Sequence, residues 1–177
     1  DFNLQPYDNK SNFDVVLNMP PGSPVEKTAA VLHEMAAYLA AQPEVINYQI
    51  YAGTAAPLDL NGLIRQYYLR SGNTVGQIQV NLLDKKYREL ISREIIIRVR
   101  PALAEIAKQH NAALYVFDPP SGVPKPSPIM LEVYGPTQQG RYDVAKAVRN
   151  ALEKTPGVVD IDDSSIVAAT KARIEID

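Results

Sequence analysis

Along the first half of the chain, apolar and polar positions alternate, then change period, then alternate again. Phe13, Val15 and Leu17 interleave with Asp14, Val16 and Asn18, the two-residue period of a half-buried strand, and Pro20-Pro21-Gly22 ends it. Ser23 is the expected N-cap of a helix, with Pro24 at the first helical position and Glu26 completing a capping box. Val25, Ala29, Leu32, Ala36 and Leu39 then recur at spacings of four and three, one apolar stripe on an alanine-rich helix that suits close approach to a sheet. Pro43 stops that helix, and residues 45–51 alternate again as a second strand. The run 53–62 has no period but is apolar, through Ala55, Ala56, Pro57, Leu58 and Leu60, as loops that carry function or pack on a partner often are. Residues 63–69 and 75–83 read as two strands of a hairpin joined through 70–74. A second helix is expected over about 86–110, with Ile91, Ile95, Val99, Leu103 and Ile106 as its buried stripe. Pro101 falls inside it and predicts a kink, or two shorter helices meeting near Arg100. Residues 112–117 make a short last strand.

The stretch 12–52 has a weaker echo at 129–163: a strand over 129–134, a Gly135-Pro136 turn, a helix near 139–153 and a strand over 158–162. Val144, Val148 and Leu152 give the later helix an apolar side, and 172–176 reads as a final strand. A unit that recurs within one chain implies a duplicated supersecondary motif. Five of the 14 prolines lie in 118–128, so this stretch is a stiff connector and the expected domain boundary. The fold class predicted is α+β: a ferredoxin-like split βαβ subdomain over 1–118, a proline-rich linker over 119–127, and a second, truncated βαββ subdomain over 128–177. A unit cut short in that way leaves a helix face or strand edge uncovered.

Composition narrows the function classes. With 46% hydrophobic and 21% charged residues, the 177-residue chain is of folded, non-disordered type. A net charge of -2 argues against electrostatic nucleic-acid binding, so no nucleic-acid partner is expected. The absence of cysteine excludes disulfides and cysteine-based zinc sites. No apolar run nears the ~20 residues that cross a bilayer. The chain starts Asp1-Phe2-Asn3, which raises the expectation of a soluble piece of a longer protein.

Catalytic chemistry finds little support, and the chain is read as a non-enzyme with no cofactor. His33 and His110 both fall on or at the end of helices without a Ser or Asp pattern, and Pro20-Pro21-Gly22-Ser23 offers too few backbone N–H groups for a phosphate loop. A small hydrolase of acylphosphatase type is disfavoured because the turn after the first strand has no Arg and no anion-binding nest. Asp160, Asp162 and Asp163 form an acidic cluster, with Asp160 and Asp162 on one face of the expected strand; it lacks the glycine and ligand spacing of a calcium loop and reads better as a solvated strand end. Met19, Met35 and Met130 are not spaced to meet at a soft metal. Tyr115 and Phe117 point the same way from one strand, with Phe13 on a neighbouring one. Either they share the core, or an open sheet face makes them the floor of an apolar cleft.

Several motifs, in order, resemble the second periplasmic loop of resistance–nodulation–division (RND) efflux transporters, of the multidrug permease type. They are Leu4-Gln5-Pro6-Tyr7-Asp8-Asn9-Lys10 with the following FDVVLNMPPGSPVEKT, the Pro43-Glu44-Val45 lead into a strand, Tyr51-Ala52-Gly53, Leu131-Glu132-Val133-Tyr134-Gly135 and Ala172-Arg173-Ile174-Glu175-Ile176-Asp177. The resemblance covers essentially the whole chain. It implies an inner-membrane proton antiporter, trimeric, working with a periplasmic adaptor and an outer-membrane channel on apolar or amphiphilic small molecules. Within it, 12–118 would be one complete ferredoxin-like porter subdomain and 128–177 the first part of the next, both in the periplasm and in contact with other porter subdomains. The positions matching the cleft lining are Val16, Tyr115 and Phe117, and the loop 53–65, with Gly53, Leu58, Leu60 and Arg65, matches the loop separating two pockets. That loop lacks the Phe-Gly run of multidrug pumps, and Asp163 and Ser165 stand where those pumps carry Arg and Asn. The methionines of the copper and silver branch are not matched. The family's proton-relay carboxylates lie in membrane helices that this stretch does not include. A free-standing pair of ferredoxin-like ligand-binding or regulatory modules is the alternative.

Overall fold

The computed structural model describes residues 8–57, 69–118 and 129–163. The chain divides into two compact units, Asp1–Pro128 and Ile129–Asp177.

In the first unit the elements follow in the order β1 (Asn12–Asn18), α1 (Val25–Ala40), β2 (Val45–Ala52), β3 (Val75–Leu82), α2 (Ser92–Gln109) and β4 (Ala113–Phe117). The four strands form one sheet in the order β2-β3-β1-β4, and every neighbouring pair is antiparallel. This α+β arrangement is the ferredoxin-like plan that the periodicities predict. Both helices pack on one face: Val31, Leu32, Met35 and Leu39 of α1 and Ile95, Val99 and Leu103 of α2 are fully buried against Phe13, Val15, Leu17, Ile78 and Val80. Each such aliphatic or aromatic side chain contributes about 1.5–3 kcal/mol through its removal from water.

Local details differ from the sequence expectation in three places, and of the two arrangements open at Pro101 the single helix is the one found. Helix α1 begins at Val25, because Pro24 has an extended ψ of 156° and is itself the N-cap; Ser23 makes no capping bond. Helix α2 begins at Ser92, not near 86. Residues 84–90 are held in turns, and the first turn of α2 is satisfied by Glu94 Oε2 accepting from the Ile91 N–H at 3.0 Å and by Asn9 Oδ1 accepting from the Ser92 N–H at 3.0 Å. Isoleucine has no side-chain acceptor, so only the glutamate half of a capping box is made there. Pro101 lies within the one continuous helix, on its exposed side. The hairpin partner of β3 is β2 rather than a strand over 63–69; Leu69 is in no strand, and 63–68 lie outside the described residues.

In the second unit the regular element among the described residues is α3 (Gln138–Glu153), capped by Thr137, whose Oγ1 accepts from the Gly140 N–H at 3.2 Å. The segments 129–134 and 158–162, expected as strands, show no strand pairing among the described residues. A strand exists only through ladder bonds to a partner, and neither segment has one among the described residues. The strand expected over 172–176 lies outside the described residues.

Candidate functional site: the helix-free face of the sheet

Side chains that alternate with the core positions point to the other face of the sheet, which α1 and α2 leave uncovered. The antiparallel registers align them in rows across β2, β3, β1 and β4. One row runs Tyr51, Gln77, Val16, Tyr115; the next runs Gln49, Gln79, Asp14, Phe117; a third holds Asn47, Asn81 and Asn12. At the usual strand spacing the four-strand rows span about 14 Å, and successive rows lie about 7 Å apart.

The middle of this face is closed to water. Val16 is 1% exposed, Asp14 3% and Gln77 6%. Tyr51, Tyr115, Phe117 and Gln79 are half-buried around them. Burying polar groups here requires partners. Gln77 Nε2 donates to Asp14 Oδ1 at 3.3 Å, and Gln77 Oε1 accepts from the Ala56 N–H at 3.4 Å, which brings the segment after β2 against the face. In the third row Asn81 Nδ2 donates to Asn47 Oδ1 at 2.7 Å. Beyond the first row, Arg70 Nη2 donates to the Leu17 carbonyl at 3.1 Å and to Asn18 Oδ1, fixing the end of β1.

The structure brings Val16, Tyr115 and Phe117 together. Val16 and Tyr115 are direct cross-strand partners, and Phe117 stands one row along, opposite Asp14. Phe13 does not join them; one residue out of phase, it is fully buried on the helix side. Gly53 lies where the β2–β3 connection closes at its base. Its N–H donates to the Val75 carbonyl at 2.8 Å, and its carbonyl accepts from the Gly72 N–H at 3.1 Å. Its φ of +76° is a left-handed conformation that glycine adopts without strain. Leu58, Leu60, Arg65 and Ser165 lie outside the described residues.

Asp163 belongs to the second unit, where Arg149 of α3 holds it: Nη1 donates to Asp163 Oδ2 at 2.5 Å, Nε to Glu153 Oε1 at 3.1 Å and Nη2 to the Ile161 carbonyl at 3.2 Å. The bond to Asp163, first among several causes, raises the Arg149 pKa further. Asp160 takes a left-handed φ of 57° in a segment that is not a strand, so Asp160 and Asp162 do not share a strand face as the sequence suggested. Among the described residues no three His, Cys, Asp or Glu side chains gather as a metal site. Met19 and Met35 are core residues, and His110 Nε2 lies 3.2 Å from Glu34 Oε2, joining the end of α2 to α1.

Asp14, Gln77 and Gln79 escaped the sequence reading. Their signal was present: Gln77-x-Gln79 has strand period, and Asp14 shares the parity of Val16. Only the pairing register shows that these positions meet in adjacent rows.

No protein-family profile and no curated protein sequence matches this chain. Among solved structures it is similar to a heavy metal efflux pump in two crystal forms. Form II superposes with a TM-score of 0.56 at 15% identity over 88% of this chain, and form I with 0.55 at 15% over 86%. The chain spans only 16% and 15% of the length of those pump chains. At such identity the likeness concerns fold: this chain has the α+β architecture of one region of that pump. No helix among its described residues is long and apolar enough to cross a membrane.

Proposed function

We propose that this chain is a periplasmic porter segment of a proton-driven RND efflux permease, and that the helix-free face of its first unit contacts the transported molecule. The observation that supports this best is the convergence of two independent likenesses on one family. The ordered motifs resemble its second periplasmic loop, and the fold matches a region of an efflux pump over 88% of the chain. In this reading the chain has no catalytic role. It supplies a cleft floor at Val16, Tyr115 and Phe117 and contacts other porter subdomains of a trimer, while proton coupling, adaptor and outer-membrane channel involve other parts of the permease. The metal cargo named for the structural neighbours is not carried over, because Met19 and Met35 are spent in the core.

The test uses the full-length gene in a pump-deficient bacterial host. Apolar spans of about 20 residues are expected in the encoded protein on both sides of this segment. Phe117→Ala is expected to change susceptibility to some compounds of a broad panel at unchanged protein level. A reading frame without such spans sinks the permease; unchanged susceptibility across the panel removes Phe117 from the path.

A further inference from the structure

The first and last strands of the first unit are neighbours, and their antiparallel register fixes where the chain on either side of them runs. Asp14 pairs with Phe117, so the lead-in to β1 and the residue that follows β4 lie at one end of the sheet. One residue of α2, Ser92, is bonded to both. Asn9 Oδ1 accepts from the Ser92 N–H at 3.0 Å, and Asp118 Oδ2 accepts from the Ser92 hydroxyl at 3.0 Å. Arg88 reinforces the first side. Its Nη2 donates to Asn9 Oδ1 at 2.7 Å and to the Lys10 carbonyl, while Nε and Nη1 donate to the Leu83 and Leu90 carbonyls, both at 2.9 Å. One guanidinium thus ties the lead-in of β1 to the connection between β3 and α2.

Two features set this cluster apart from ordinary turn bonding. The Ser92 bonds join residues 83 and 26 positions apart, so local turn geometry does not produce them. Ser92 is also fully buried, so a group that loses its partner there is not readily compensated by water. It turns a different group to each side, the main-chain N–H to Asn9 and the hydroxyl to Asp118. A shift of either connection therefore acts on the same residue, at the start of a helix whose Ile95, Val99 and Leu103 are locked in the core.

From this juxtaposition we propose that Asn9, Arg88, Ser92 and Asp118 form a clasp, a conformational device that makes the lead-in to β1 and the exit after β4 loosen and tighten together. Releasing Asp118 from Ser92 lets the first turn of α2 shift, which weakens the bond to Asn9. Releasing Asn9 weakens the hydroxyl bond to Asp118 by the same factor, as linkage requires. A displacement of the chain at Asp118 is thereby passed to the lead-in of β1 and is not absorbed where it arises. The clasp lies wholly within the first unit and does not depend on the permease reading.

The test is a pair of double-mutant cycles on the 177-residue chain, read by urea unfolding. Asn9→Ala and Asp118→Ala are each expected to lower the folding equilibrium constant. The double variant is expected to fall short of the product of the two losses by about threefold or more. In a Ser92→Ala background, which keeps the N–H bond to Asn9 and removes the hydroxyl, the two losses should simply multiply. Asp118→Asn keeps an acceptor for the hydroxyl and is expected to retain the coupling. By NMR, Asp118→Ala should also speed exchange of the Ser92 amide by a larger factor than it speeds that of Val15 and Ile78 in the central strands. Losses that multiply without Ser92→Ala, or a coupling that survives it, overturn the clasp. Should a double variant fail to fold, the exchange measurement on Asp118→Ala decides alone, and a Ser92 amide that follows Val15 and Ile78 overturns the clasp as well.

Discussion

Glu44 is a carboxylate placed where strand β2 begins, and it is 9% exposed. Burial of that degree is tolerable because Arg98 of α2 meets it with both terminal nitrogens: Nη1 reaches Oε1 at 3.0 Å and Nη2 reaches Oε2 at 2.5 Å. The pair joins the edge of the sheet to a helix, with an end-on, two-bond geometry that only arginine offers. The Arg98 hydrogen bonds, the largest cause, hold the Glu44 pKa below its ordinary value of 4.5 despite burial, and the same bonds raise that of Arg98. A carboxylate with a depressed folded-state pKa stabilises the fold fully above its unfolded value. That contribution is lost as the pH falls through the lower folded value. Arg98 is 38% exposed on its side chain, so solvent screens part of the attraction. Glu44→Gln is therefore expected to cost about 1–2 kcal/mol at pH 7. In urea unfolding the gap between parent and variant should close as the pH drops below about 4. A gap that stays constant down to pH 2.5 would mean packing, not charge, carries the effect.

Element by element, the helices and strands with a clear period were legible in the sequence. β1, α1, β2 and β4 fall within one or two residues of their expected bounds, because one buried face forces a regular spacing. The segment before α2 was not legible, and local hydrogen bonding explains why. Residues 86–90 look like helix formers, but Arg88 spends its guanidinium on the Leu83 and Leu90 carbonyls, both at 2.9 Å, and on Asn9 Oδ1 at 2.7 Å. Asp84 Oδ1 meanwhile accepts from the Lys86 N–H at 3.0 Å. Side-chain bonds to the backbone compete with helix propagation, and here they win. The approach of α1 to the sheet was foreseen from its alanines, but the tightest point lies on the sheet side. A Cβ built on Gly76 of β3 would stand 2.6 Å from Leu32 Cδ1 and 3.1 Å from Cδ2 and Cγ. Leu32 is fully buried and has nowhere to swing. Gly76→Ala is expected to destabilise the first unit by about 1–3 kcal/mol through overpacking. Adding Leu32→Val should recover part of that loss in a double-mutant cycle, and strictly additive losses would show that the two sites do not touch.

For the whole molecule, the candidate site was half legible: single-strand parity put Tyr115 and Phe117 in view and the family resemblance added Val16, while the amides needed a register that only the folded sheet supplies. The same limit of local pattern governs the second unit. Val144, Val148 and Leu152 give α3 an amphipathic stripe, yet none of its residues is buried, and Val144 is 51% exposed. An apolar stripe says that a helix has a side to bury, not that the chain buries it. A 16-residue helix with no fully buried residue depends largely on its own propensity, with Gly140 in its first turn and Arg149 tying it to Glu153, Ile161 and Asp163, and helices of that length are marginal in water. Amides of β1, β3 and α1 are bonded within a dry core and open only with the first unit as a whole. Hydrogen exchange of the isolated chain, followed by mass spectrometry, should therefore be far faster over residues 138–153 than over β1, β3 and α1. Equal protection would mean that α3 is covered by a surface not accounted for above. The permease reading adds a further expectation. In the full-length protein, protection over 138–153 should rise toward that of the first unit, because another subdomain would then bury the stripe that α3 leaves in water.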